Sequence, residues 1–270
     1  MPKFGVTGPT RRATLLGAAW MAGIGAARAD EDPWPFLAPQ IFPQRSVKDD
    51  DSLVAIDAPY RAEDAAVVPL TLRLLPAAAA RKVKSISVVI DANPSPLAVV
   101  FTLPPAGGID TIETRVRVDD YTNIHAVAET EDGGLFASKR YVKASGGCSA
   151  PALKQEHDDI ALGTMRFREF PPPAGADPAR REAELLIRHP NYSGMQMNQV
   201  TRLYIPAHFI TAVTLWQGDA ELLHVESGIS ISENPFLRFG FRTNGAKTIR
   251  AEAVDNEKQV FRGEWPVASV

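Results

Sequence analysis

The feature that most constrains the fold of this chain is an alternation of apolar and polar residues, which recurs in short segments from Asp51 onward. In the segment VPLTLRL, every second residue from Val68 to Leu74 is apolar and would lie on one face of a strand. SISVVID and IETRVRV repeat the alternation, and loops rich in Pro, Gly and Asp separate the segments. Period-two segments of this kind are typical of half-buried antiparallel strands, so we predict an all-β fold.

The alternation occupies two halves of similar length. The second half contains the strand-like segments LLIRHP, ITAVTLWQGDAELLHVE, FLRFGFRTNGAKTIRAEAVD and QVFRGEWPV, with hairpin signals at Gln217-Gly218-Asp219 and Asn244-Gly245. Each half has about 100 residues and roughly seven segments, which is the size of an immunoglobulin-like sandwich. We therefore predict two immunoglobulin-like antiparallel β-sandwich domains at 51–148 and 163–270, joined by a linker at 149–162.

The N-terminal 29 residues have the three-part layout of a secretory signal. A twin arginine, Arg11-Arg12, precedes an apolar run at 13–27, and Ala27-Arg28-Ala29 is an A-x-A cleavage site. The pattern predicts a twin-arginine-type signal peptide at 1–29 and an exported, periplasmic protein, rather than a basic tail before a short hydrophobic helix. The apolar run is about 15 residues long, shorter than the ~20 that cross a bilayer, so we expect no membrane span after cleavage.

The mature chain would begin with a stretch at 30–50 that is rich in Pro and aromatic residues, which predicts an extended N-terminal arm. The charge of the mature chain limits the partners that it can bind. Cleavage after Ala29 would remove four of the 29 Lys and Arg residues and none of the 32 Asp and Glu residues, leaving a net charge near −7. Nucleic acids are bound chiefly by neutralising their phosphates, so an acidic chain argues against such a partner. The sequence also lacks C-x-x-C-H, G-x-G-x-x-G, G-x-S-x-G, H-E-x-x-H and Walker motifs.

Cys148 is the only cysteine, so the chain forms no intrachain disulfide. It follows Gly146 and Gly147, just beyond the expected end of a strand near Ala144, and we predict a flexible arm that exposes the thiol. Nearby lysines would favour the thiolate. A catalytic nucleophile needs a preorganised base, which a mobile linker does not provide, whereas a carrier needs only reach and exposure. An incidental linker cysteine is the alternative.

These residues also resemble a known family. The first half, which runs into SGGCSA, resembles SoxY, the sulfur-substrate carrier of bacterial thiosulfate oxidation. Cys148 falls on the cysteine of the family's Gly-Gly-Cys-Gly-Gly arm, and Gly146 and Gly147 fall on its first two glycines. The second half resembles SoxZ, the partner of SoxY, in three segments: IRHPNYSGMQ (187–196), IPAHFITAVTLWQGDAELL (205–223) and GISISENPFLRFGF (228–241).

A fused SoxY–SoxZ chain behind a signal is similar to the SoxYZ-like carriers associated with quinoprotein dehydrogenases. The resemblance implies two packed sandwiches and a non-catalytic carrier, without cofactor or metal, that holds sulfur cargo covalently on Cys148. Its partners would be periplasmic sulfur-oxidation enzymes or a quinoprotein dehydrogenase system. The chain departs from the family arm at Ser149-Ala150-Pro151, where the family has Gly-Gly, and it continues into a second domain, so the arm is tethered at both ends.

Two other functions are compatible with the residues. The protein could be an accessory or binding module for a periplasmic quinoprotein (PQQ) dehydrogenase, with no cargo on the thiol. Alternatively, His189, Met195 and Met197 in HPNYSGMQM could bind copper, since imidazole and thioether are ligands that copper accepts. The simpler interpretation of this segment is a set of loop and strand residues. We expect His208 and His224 to be structural, and His125 to be exposed on the outer side of its strand.

Overall fold

The alternating segments form strands in the computed structural model, which describes residues 32–151, 160–172, 175 and 177–267. The predicted signal peptide at 1–29 and much of the predicted linker at 149–162 lie outside these residues. Among the residues described, the first half contains a helix, eight strands and a short second helix: α1 (Trp34–Ile41), β1 (Val47–Asp49), β2 (Val54–Asp57), β3 (Val68–Leu74), α2 (Pro76–Ala80), β4 (Val83–Ile90), β5 (Leu97–Thr102), β6 (Thr111–Val116), β7 (Thr122–Thr130) and β8 (Leu135–Val142).

The described part of the second half contains seven strands and no helix: β9 (Met165–Phe170), β10 (Arg180–Ile187), β11 (Ile210–Gln217), β12 (Ala220–Ser227), β13 (Phe236–Arg242), β14 (Thr248–Asp255) and β15 (Val260–Pro266). Gly218 and Asp219 connect β11 to β12, which pair as the predicted hairpin. Asn244-Gly245 lies between β13 and β14, but these strands belong to different sheets, so the hairpin predicted there is wrong. None of the helices in the described residues is long and apolar enough to cross a membrane.

The two halves share both of their sheets. One sheet has nine strands in the order β1-β8-β7-β4-β5-β12-β11-β14-β15, and the other has six in the order β2-β3-β6-β13-β10-β9. The halves meet where β5 pairs with β12 and where β6 pairs with β13, both antiparallel. The prediction of an all-β protein with two sandwich domains is confirmed. The edge strands that each domain would otherwise expose form backbone hydrogen bonds with each other.

A single hydrophobic core runs between the sheets and through the junction. Alternate residues of β3, including Leu70 and Leu72, point into it, as the alternation predicts. Phe101 from β5 and Phe239 from β13 are also fully buried, and each lies on a strand that pairs with the other half. Residues Pro33–Val270 accordingly form one compact unit rather than two separate ones.

The N-terminal arm differs from the extended conformation that its composition predicts. Trp34–Ile41 forms helix α1, since proline is favourable in the first turn of a helix, and β1 pairs in parallel with β8. Trp34 and Ile41 pack on a second apolar cluster on the outer side of the nine-stranded sheet, made of Phe42, Val89, Val127, Leu135 and Ala137. The arm therefore covers a sheet face that would otherwise contact solvent.

Candidate functional site

The segment that carries Cys148 is docked against the chain that follows β6. The backbone N–H of Gly146 donates to the Asp119 carbonyl at 2.7 Å, and that of Gly147 donates to the Val118 carbonyl at 3.0 Å. The Cys148 N–H donates to Asp119 Oδ1 at 3.1 Å. Three consecutive backbone donors are thereby satisfied, which holds the segment in one conformation.

The two glycines are required by this docked conformation, each for a different reason. Gly146 has φ of +77°, a conformation that side-chain-bearing residues rarely adopt. A Cβ on Gly147 would lie 2.1 Å from the Ala65 carbonyl oxygen and 2.6 Å from that of Val118. Gly146 and Gly147, predicted to make a flexible arm, thus permit the docked conformation instead, Gly146 through its positive φ and Gly147 through its close packing.

The prediction of an exposed thiol is wrong for this structure, because Cys148 has no exposed surface. Burial raises the pKa of the Cys148 thiol to about 12, and the nearby Asp119 carboxylate acts in the same direction. Lys143 does not supply the expected positive charge at the thiol, since its ammonium lies over the rings of Tyr60 and Tyr121, at 5.1 and 5.9 Å. The docked cysteine is therefore protonated at neutral pH.

The positive charge beside the thiol comes instead from Arg117, which is 2% exposed. Its guanidinium donates to the Gly147 carbonyl at 3.2 Å and to the Asn191 carbonyl at 3.3 Å. Burial lowers the pKa of Arg117, and the nearby Cys148 and Glu233 partly oppose this effect. Arg117 opposes the upward pKa shift of Cys148 in turn. The alternation of IETRVRV places Arg117 on the same side as exposed Arg115, but Arg117 is buried where it contacts the docked arm and the second half.

Residues of the second half close the site. The Ser193 hydroxyl donates to the Cys148 carbonyl, and its backbone N–H donates to Gln196 Oε1 at 2.9 Å. Asn93 connects the two halves near this site, because its side-chain amide donates to the Arg117 carbonyl at 2.8 Å and to Ser230 Oγ at 3.0 Å. The thiol thus lies at the junction of the two halves.

Sequence reasoning identified Cys148 and its two glycines but missed the groups that hold them. Arg117, Asp119 and Ser193 contact the arm, and they lie in segments remote from it in the sequence. Their residue types are common on protein surfaces, so a single sequence carries no signal that distinguishes them. One clue was present, since Ser193 falls inside the segment that resembles SoxZ.

The expectation that His125 is exposed is also wrong. His125 is buried, its Nε2 lies 3.1 Å from Asp91 Oδ2, and its ring stacks on Trp34 at 3.8 Å between centroids. The strand phase places His125 on the outer face as expected. That face is covered because α1 packs on it, which the alternation within β7 does not reveal.

The remaining candidate residues fall into separate groups. His189 lies beside His208 and Asp255, with 3.7 Å between His189 Nε2 and Asp255 Oδ2. Burial lowers the pKa of His189 to about 4, and His208 adds to this effect.

Met197 is partly exposed and bridges to Tyr204, so it lies in a surface loop. His224 contacts Thr214 on the neighbouring strand at 2.8 Å, which agrees with a structural role.

Comparison with known protein families matches most of the chain. Residues 38–148 match the model for sulfur oxidation protein SoxY, and residues 172–266 match the model for sulphur oxidation protein SoxZ. The SoxY match ends at Cys148. No curated protein matches the chain. The two matches coincide with the two sandwich halves, and the chain is therefore a fused member of the sulfur-oxidation carrier family, with a SoxY domain followed by a SoxZ domain.

Proposed function

We propose that this protein is a periplasmic carrier that holds a sulfur compound covalently on Cys148 and presents it to partner enzymes. The observation that carries the proposal is the position of the chain's only cysteine, at the last residue of the SoxY match and at the contact with the SoxZ domain. The predicted signal peptide at 1–29 supports export. Periplasmic sulfur-oxidation enzymes are the partners that the family membership favours.

Loading of the thiol follows ordinary sulfur chemistry. The Cys148 thiolate attacks a terminal sulfur of a polysulfide dianion, a new S–S bond forms, and one S–S bond of the polysulfide breaks. The products are a Cys148 persulfide anion and a hydropolysulfide one sulfur shorter, which takes up the thiol proton, so no external oxidant is needed. Coupling of thiosulfate to the thiol instead releases two electrons and one proton, and a partner redox protein must accept the electrons.

The docked conformation supports a protected resting state. A buried, protonated thiol reacts slowly, because the thiolate is the nucleophile. Loading and delivery therefore require the arm to leave its position, which breaks the contacts that Asp119, Arg117 and Ser193 make with it. When the arm returns with an anionic adduct, the buried Arg117 guanidinium provides a compensating charge.

Intact-mass analysis of the mature protein tests the proposal. After incubation with polysulfide, we expect a mass increase of whole sulfur atoms on the wild type, reversed by a reducing agent, and no increase on Cys148→Ser. No adduct on the wild type and on a variant with a released arm, or an equal adduct on Cys148→Ser, contradicts the proposal.

Ser193→Ala is the variant that should release the arm. It removes the hydrogen bond to the Cys148 carbonyl, and loss of a buried hydrogen bond costs about 1–3 kcal/mol. We expect Cys148 to be alkylated roughly tenfold faster or more, since about 1.4 kcal/mol corresponds to tenfold. Ser227→Ala is a matched control, because that hydroxyl donates to the Ile210 carbonyl and does not contact the arm. Equal alkylation rates in both variants would exclude a role for Ser193 in docking.

Burial of the thiol also favours the second candidate function, an accessory module for a quinoprotein dehydrogenase in which Cys148 is only structural. The two functions differ in their dependence on the cysteine. Capture of a purified periplasmic dehydrogenase that is unchanged by Cys148→Ser, together with no sulfur adduct on the wild type, supports the accessory function.

A further inference from the structure

A second cluster of polar side chains lies in the SoxZ domain, next to the residues that hold the cysteine arm: Asn191 contacts His189 of this cluster and accepts a hydrogen bond from Arg117. The cluster brings together His189 after β10, His208 before β11 and Asp255 at the end of β14. One possible ligand atom from each lies within 4.8 Å of the other two. His189 and Asp255 are fully buried, whereas the His208 side chain is 17% exposed.

Two features of this cluster are unexplained by packing alone. His189 Nε2 is buried without a hydrogen-bond partner, although it lies 3.7 Å from Asp255 Oδ2. Unpaired buried polar atoms are uncommon and costly, because they give up hydrogen bonds to water without replacement. The other ring nitrogen, Nδ1, contacts both the backbone N–H and the side-chain oxygen of Asn191, at 3.1 and 3.0 Å. The contact with the backbone N–H needs a lone pair on Nδ1, whereas the contact with the side-chain oxygen needs a proton on Nδ1. A single tautomer of His189 cannot make both hydrogen bonds.

We propose that His189, His208 and Asp255 form a binding site for one divalent transition-metal ion of the zinc class. An ion on His189 Nε2 uses the unpaired atom and selects the tautomer in which Nδ1–H donates to Asn191. Metal-bound histidines usually donate their second ring N–H to an oxygen in this way. The side-chain oxygen of Asn191 is held in place because it also accepts from the Ile210 N–H at 3.0 Å.

The distances suit a tetrahedral site. Ligand bonds of about 2.0–2.2 Å place neighbouring ligand atoms roughly 3.4 Å apart. His208 Nε2 and His189 Nε2 lie 2.9 and 3.7 Å from Asp255 Oδ2, so small side-chain movements complete the geometry. The second Asp255 oxygen accepts from the Gln259 N–H at 2.8 Å, which fixes the carboxylate.

The chemistry of the ligands selects the metal. Two imidazoles and one carboxylate favour zinc, copper or nickel over magnesium and calcium, which prefer oxygen ligands. The ion would enter past partly exposed His208. Glu257 lies on the same side, with its carboxylate 3.8 Å from His208 Nε2, and either Glu257 or water can complete the coordination.

Metal titration of the full mature chain, without an affinity tag, tests the site. The protein is stripped with a chelator and titrated with Zn²⁺ in competition with a chromophoric chelator, on the wild type and on Cys148→Ser. We expect one Zn²⁺ per chain in both proteins, which excludes the thiol as the ligand, and no binding of Mg²⁺. Cobalt substituted for zinc should give the strong visible absorption of a low-coordinate site.

His208→Gln and Asp255→Asn should each weaken zinc binding by more than roughly 100-fold, since even the loss of a residue that only hydrogen-bonds to a metal ligand costs about 10–100-fold. His208→Gln is the more tolerant variant for folding, because His208 reaches the surface, and circular dichroism checks both. His224→Gln is the matched control, because His224 contacts Thr214 instead of this cluster, and its affinity should equal that of the wild type. Absence of zinc binding by the folded wild type, or unchanged affinity in folded His208→Gln, overturns the proposal.

Discussion

Cys148 is surrounded by three groups that act differently on it. Asp119 holds its backbone N–H and disfavours the thiolate, Arg117 holds the preceding carbonyl and favours the thiolate, and Ser193 holds its own carbonyl. Burial outweighs the favourable charge of Arg117, so the pKa of the thiol rises to about 12. In the docked state the cysteine is buried and protonated, and we expect its reactivity to depend on whether the arm is docked.

The raised pKa of Cys148 has a consequence for stability at alkaline pH. The unfolded chain loses the thiol proton near pH 8.5, whereas the folded chain retains it until about 12. This contribution to stability is present below pH 8.5 and is lost as the pH rises towards 12, by up to about 1.4 kcal/mol per pH unit. Urea unfolding at pH 8 and above pH 9 should show a steeper loss for the wild type than for Cys148→Ser. Parallel losses would indicate that the thiol is not buried in solution.

Gly147→Ala should undock the arm, because the new Cβ would collide with the Ala65 carbonyl oxygen at 2.1 Å. We expect alkylation of Cys148 to become at least about tenfold faster, with a fall in melting temperature of a few degrees for about 1 kcal/mol of strain. Gly228→Ala is the matched control, since its Cβ would meet no atom closer than 3.8 Å. The docked geometry is contradicted if the two variants behave alike.

At the scale of secondary-structure elements, α1 determines the environment of the outer face of the nine-stranded sheet. It covers β4, β7 and β8 and buries the apolar side chains that these strands carry on that face in a second cluster. This explains why β7 is buried on both faces and why a histidine–aspartate pair lies inside the protein. The helix therefore packs as part of the SoxY domain, and the SoxY match begins within it, at residue 38.

Trp34→Ala should destabilise the protein by about 1–3 kcal/mol, because it removes the ring that stacks on His125 and packs on the second cluster. Phe36→Ala on the same helix is the control, since Phe36 is 63% exposed and surface substitutions usually change stability by less than about 0.5 kcal/mol. Chemical denaturation measures both. Equal effects of the two substitutions would show that α1 is not docked through Trp34.

At the scale of the whole molecule, the two domains are joined through both sheets. The pairings of β5 with β12 and of β6 with β13 bury the edge of each domain, and the core continues through the junction. Separation of the domains would expose two strand edges and part of the core on each side. The fused chain is consequently expected to fold as one cooperative unit, which keeps the arm next to Ser193.

Differential scanning calorimetry of the mature protein should show one transition. Ile124→Ala in the SoxY domain and Leu185→Ala in the SoxZ domain remove fully buried side chains, at a cost of about 2–5 kcal/mol each. Each should lower the single melting temperature by roughly 4–20 °C without splitting the transition. A second transition in either variant would mean that the domains unfold independently.

The sequence by itself determined the strands and the fold class. Alternation, turn residues and the arm motif act over a few neighbouring residues, so they predicted the strands, the two sandwiches, and Cys148 after its two glycines. The sequence could not predict the continuous sheets or the helical arm over β7, because edge pairing and outer-face packing depend on residues far apart in the chain.

The tertiary structure decided the burial and the charged surroundings of the thiol, and it decided which residues the histidines contact. Lys143 lies close to Cys148 in sequence but over tyrosine rings in space, whereas Arg117 and Ser193 are remote in sequence and contact the arm. Likewise, His189, His208 and Asp255 come from three segments and meet only in the folded SoxZ domain. Burial and charge are properties of three-dimensional surroundings, and for that reason the sequence located the cysteine while the fold set its pKa and its accessibility.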